Sequence, residues 1–154
     1  MAPMIVLFLS TLVARIFVPW RDGFRIGLAV MFIFTAASHF APSISRDLAA
    51  MIPPPLTGAM WVIYITGVLE IAGAVGLLTR RYRRMAAICL VLLLIALFPA
   101  NVYAALAGVP LRGEAATPLW LRTPIQLFWI ALLWWTTIRR APSATPVSPT
   151  AVPA

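Results

Sequence analysis

Very little in this chain can hold a charge, a metal or a disulfide. It has one cysteine, one histidine, four acidic residues and no lysine, and all twelve basic residues are arginine. A lone cysteine, Cys89, without a CxxC motif excludes an intrachain disulfide and thiol–disulfide chemistry within the subunit, and it reads as a packing residue. One histidine and four scattered acids have no recognised ligand spacing, so neither a metal nor haem is expected. There is no internal repeat, no heptad and no glycine-rich nucleotide loop. Charged residues make up 10% of the chain, against about 25% in an ordinary soluble domain, which is too few to cover a water-facing surface.

What the chain does have is apolar length: 62% of its residues are hydrophobic and the mean hydropathy is +0.97. The expected fold is an all-α membrane protein, because a helix of roughly 20 apolar residues crosses a bilayer. Four strong spans are read at about 24–41, 57–79, 84–108 and 118–138, and a shorter one at 4–20. The short one lacks the basic n-region and cleavage site of a signal peptide. Residues 1–140 form a single transmembrane domain, and 141–154, with four prolines and no charge, read as a disordered cytoplasmic tail. The loop 43–55 is expected to hold a short surface helix ending before Pro53.

Most arginines sit at the edges of apolar runs, the pattern of topology signals rather than of a nucleic-acid-binding face. Nine of them (15, 21, 25, 80, 81, 83, 84, 139 and 140) fall on one side of a five-span topology, and Arg46, Arg112 and Arg122 on the other. The positive-inside rule then predicts the N-terminus outside and the C-terminus inside. Trp20, Trp134 and Trp135 fall at the inner boundary and Trp61 and Trp120 at the outer, in agreement.

Glu70 is a carboxylate in the middle of an otherwise apolar span, TGAMWVIYITGVLEIAGAVGLLT. Helical rise places Glu70 about 15 Å above the inner arginines, and His39, Gln126, Arg122 and Asn101 about 20–26 Å above them. Such groups are costly to expose to lipid, so they are expected to face the bundle interior and one pocket opening toward the outer face. Arg122 and Gln126, spaced i,i+4, share a helix face. Gly67, Gly73 and Ala74 flank Glu70 as a small-residue stripe for close helix approach. The plainer alternatives are that Glu70 is a neutral carboxyl tying helices together, that His39 ends its helix before Pro42, that Arg122 anchors at the interface, and that Asn101 satisfies a carbonyl freed by Pro99.

The strings MFIFTAASHF, RDLAAMIPP, YITGVLEIAGAVGLL, LFPANVYAAL and PLWLRTPIQLFW, in that order over about residues 24–138, resemble the DoxX family of small bacterial inner-membrane proteins. The resemblance implies a four-helix transmembrane bundle, here with an added N-terminal helix, in a bacterial inner membrane. The family name comes from a subunit of a thiosulfate:quinone oxidoreductase, and the family has no catalytic motif to carry over.

The expected function is therefore a quinone-linked oxidoreductase subunit. His39 and Gln126 would hydrogen-bond a quinone headgroup and Arg122 would stabilise its reduced form. Asn101 would complete the polar lining, with Trp129 and Phe98 as the apolar wall. Glu70 would exchange the proton. The chain brings no electron carrier, so a soluble or membrane redox partner is implied, alongside membrane lipid; homo-oligomers are compatible with all of this. A non-enzymatic scaffold or transport-associated subunit is the alternative, and a lipid isomerase using the carboxylate ranks below both.

Overall fold

The computed structural model describes residues 2–115 and 117–139. Arg140 and the tail expected at 141–154 lie outside the described residues. The described residues are helical apart from turns and one isolated bridge. Six helices follow in order: α1 (Ala2–Arg15), α2 (Trp20–Phe40), α3 (Pro42–Ala50), α4 (Met60–Leu78), α5 (Arg83–Ala107) and α6 (Leu119–Leu133), with α6 continuing as a π-helical turn over Trp134–Ile138. Of these, α2, α4 and α5 are long and apolar enough to cross a membrane.

Local chemistry sets the ends. Proline precedes α2 (Pro19) and α6 (Pro118) and opens α3 (Pro42), each where a missing N–H costs no helical bond. Helix α5 ends at Gly108, whose φ of 64° is the left-handed cap that glycine adopts without strain. Beyond it, Arg112 and Gly113 (φ 59° and 77°) make a tight turn closed by the Leu111–Glu114 bridge. The Arg112 backbone N–H donates to Asp47 Oδ2 at 2.8 Å, tying this loop to α3.

Helix α2 is the hub, packed on α1 and α4 and touching α6, while α5 closes the bundle between α4 and α6. Two glycine-lined contacts bring α2 close to its main neighbours. A Cβ on Gly27 would lie 2.1 Å from Thr11 Oγ1 of α1, and one on Gly67 of α4 would lie 2.8 Å from His39 Cβ. Two more, at Gly73 and Gly76 of α4, admit Leu90 and Ala86 of α5. The small-residue stripe around Glu70 thus serves two helices, α2 on one side and α5 on the other. The core runs through Leu7, Leu28, Met31, Phe32, Leu77, Leu90 and Leu133.

The exterior is as apolar as the interior. Ile65, Val68, Leu92, Ile95 and Leu127 are all exposed, together with Trp20, Trp61, Trp120 and Trp134 near helix ends. A monomeric soluble protein does not present such a surface; helices surrounded by acyl chains do. Cys89, expected to pack, is instead exposed. The buried face of α5 carries Ala86, Ala87, Leu90 and Leu94, and Cys89 falls beside that face rather than on it.

The N-terminal helix is short. It has 14 residues, or about 21 Å of helix, and after Arg15 the chain turns through residues 16–19.

Candidate functional site

Glu70 and His39 meet at the α2–α4 contact, and both are buried. The close approach at Gly67 brings the helices near enough for their short polar side chains to touch. Glu70 Oε2 lies 2.8 Å from Thr35 Oγ1 and 3.9 Å from His39 Nδ1. The first is a hydrogen bond; the second is too long for one. His39 Nδ1 is also 3.2 Å from the Thr35 carbonyl. A carbonyl only accepts, so in that bond Nδ1 carries the hydrogen and leaves Nε2 as the free position of a neutral ring.

Thr35 is the member of this group that residue-by-residue reading missed. It stands one turn before His39 on the same face of α2, and that i,i+4 spacing was the available signal. Its hydroxyl has one proton and two oxygen neighbours, Glu70 Oε2 at 2.8 Å and the Phe32 carbonyl at 3.0 Å. With Glu70 ionised, the hydroxyl donates to the carboxylate. With Glu70 protonated, the carboxyl donates to the hydroxyl, which turns its own hydrogen to Phe32. The Thr35–Glu70 bond can form in both protonation states without moving a heavy atom.

A second polar pair links α5 and α6. Gln126 Nε2 donates to the Leu94 carbonyl at 2.9 Å, and the contact is buried. Pro99 lies inside α5. Its missing N–H leaves the Ile95 carbonyl without its helical donor; Gln126 bonds the neighbouring Leu94 carbonyl instead. Because Gly73 of α4 packs on Leu90 of α5, Glu70 and Leu94, each about one turn further along, lie at similar depth. The Thr35–Glu70 and Gln126–Leu94 bonds therefore occupy one layer. One turn farther from the arginine-rich end, the antiparallel register brings half-buried Arg122 to the level of Phe98, with Asn101 close beyond.

The remaining predicted residues divide. Trp129 directs its indole N–H to Met4 Sδ at 3.3 Å and so joins α6 to α1. Asn101 and Arg122 make no side-chain hydrogen bond or ion pair among the described residues, and none links the His39–Glu70 pair to Gln126. No three His, Cys, Asp or Glu side chains come together among the described residues.

No curated protein and no solved structure matches the chain. One family model does, over residues 28–137. The match runs from within α2 to the π-helical turn and leaves out α1, so it covers the helices that carry Thr35, His39, Glu70, Leu94 and Gln126. Since it spans more than half of the 154 residues, the chain belongs to the family described as Domain of unknown function (DUF8561).

Proposed function

We propose that this protein is a quinone-linked subunit of a membrane oxidoreductase, with Thr35, His39 and Glu70 as its proton-handling centre. The observation that carries the reading is the Thr35 hydroxyl, which can serve Glu70 in either protonation state. A carboxyl fixed as a structural tie needs only one of those states. A quinone, when bound, supplies two-electron, two-proton redox chemistry, with the electrons arriving from a partner protein. Glu70 holds the proton to be exchanged, His39 offers the free Nε2 of its ring as a second proton acceptor, and the half-buried Arg122 offers positive charge one turn away. Gln126 holds α5 and α6 together at the same depth. The resemblance to the DoxX family supports the same assignment.

The proposed topology has five spans, α1 and the α6–π segment included, with the N-terminus out and the C-terminus in, in a bacterial inner membrane. Arg21 donates to the carbonyls of Thr136 and Arg139, and Arg83 donates to Leu77 O at 3.3 Å. These bonds knit the arginine-rich helix ends that the positive-inside rule would place in the cytoplasm.

The test is extraction. Purified protein should yield quinone in its lipid extract, and His39→Ala should lose it with the fold intact. Wild-type extracts without quinone, and no binding on titration, would remove the assignment. The scaffold reading is favoured by one observation, that the Thr35–Glu70 bond joins two helices. It predicts that Glu70→Gln, which can still accept from Thr35, behaves as wild type in every assay. The redox reading predicts that the same variant keeps its fold and loses turnover.

A further inference from the structure

The end of the bundle where α2 begins and α4 gives way to α5 carries more positive charge than the protein balances. Arg25 is buried, with 8% of its surface exposed. A guanidinium has five N–H donors, yet the acceptor it meets is a single carboxylate, Asp22 Oδ1, 2.5 Å from Nη2. Its Nε–H is buried with no acceptor among the described residues. Arg83 folds back onto the Leu77 carbonyl, which holds its guanidinium at the same end of α4, and it lies within the fields of Arg25, Arg80 and Asp22. The aspartate beside Arg83, Asp22, is already paired with Arg25. The other acids are elsewhere: Asp47 on α3, Glu114 in the loop beyond α5, and Glu70 against Thr35. The carbonyl end of α4 offsets a part of this charge, but it supplies no full anion.

We propose that Arg25, Arg80 and Arg83 bind the phosphate of an anionic phospholipid. Arginine forks match phosphate oxygens in pairs and remain charged at any physiological pH. Basic sites between helix ends at a membrane boundary are where such headgroups are held. The surroundings select a lipid over a soluble phosphate: Val75, Leu78 and Met85, on the flanks of the same turn, are exposed and apolar, so acyl chains can lie beside them while the headgroup meets the arginines. Phosphate bound at Arg25 would give the buried guanidinium the acceptor it lacks.

The test uses the full-length protein in zwitterionic detergent, titrated with phosphatidylglycerol or with phosphatidylcholine of the same chains and read by native mass spectrometry. The expected result is preferential retention of one phosphatidylglycerol. Retention should fall roughly tenfold or more in Arg80→Gln/Arg83→Gln and stay unchanged in Arg46→Gln/Arg112→Gln, which removes equal charge from the opposite end. Should the first double variant fail to fold, Arg80→Gln alone, at an exposed position, should still weaken retention. Equal binding of the two lipids would overturn the proposal, as would equal loss in both double variants or no loss in the first. Full competition by inorganic phosphate would show that the site takes free phosphate and would overturn the lipid assignment.

Discussion

Glu70 bears the chemistry or the architecture of this protein, and substitution separates the two. Glu70→Leu removes the partner of Thr35 and should cost about 1–2 kcal/mol, the usual worth of a hydrogen bond between membrane helices. A fall in Tm in detergent would register it. Glu70→Gln should leave Tm nearly unchanged. Gln126→Leu removes the α5–α6 hydrogen bond to the Leu94 carbonyl, close to Pro99 of α5, and should destabilise by a similar ~1–2 kcal/mol. Asn101→Leu, at a side chain that makes no hydrogen bond among the described residues, should change Tm little. Much of this site was legible in the sequence because ionisable and amide side chains are rare in such segments and costly there. Glu70, His39 and Gln126 stood out on that ground alone. Thr35 did not, since a threonine in an apolar helix can satisfy its hydroxyl on its own backbone. The partners of Gln126 and Trp129, a carbonyl on α5 and a sulfur on α1, depend on rotation about each helix axis, which depth arithmetic does not reach.

At the scale of elements, glycine sets how close the helices come. Gly27→Ala would drive a methyl against Thr11 Oγ1 and within 2.9 Å of the Leu7 carbonyl. Backbone cannot yield there as a flexible side chain would, so α1 should lose its seat on α2. We expect a destabilisation of about 1–3 kcal/mol and faster proteolysis within residues 2–19, with α2 to α6 still folded. Protection of α1 equal to wild type would contradict this packing. The family match begins within α2 and leaves α1 outside it. Helix positions were readable from apolar run length, and the short helix expected in 43–55 is α3, ending at Ala50 before Pro53. The start of α2 was not: the sequence pointed to Phe24, whereas the helix begins at Trp20. Charged Arg21 and Asp22 disguise a first turn whose start Pro19 permits.

Among the described residues of the whole molecule, the apolar helices present hydrophobic side chains outward and bury His39, Glu70 and Gln126, the arrangement a bilayer demands. Its arginine-rich end is knitted by bonds from Arg21 and Arg83, which gives the orientation a concrete test. In a Cys89→Ala background, Ser43→Cys should react with an impermeant thiol reagent added to intact cells, and Tyr82→Cys only after the membrane is opened. The reverse pattern would invert the topology. The proton-handling role of Glu70 has a sharper test still. Infrared difference spectra taken as quinone bound to the reconstituted protein is reduced electrochemically should contain a carboxyl band, and Glu70→Gln should erase it. A spectrum with no carboxyl band, or one that persists in the variant, would contradict proton exchange at Glu70 and leave the Thr35 bond as a structural tie.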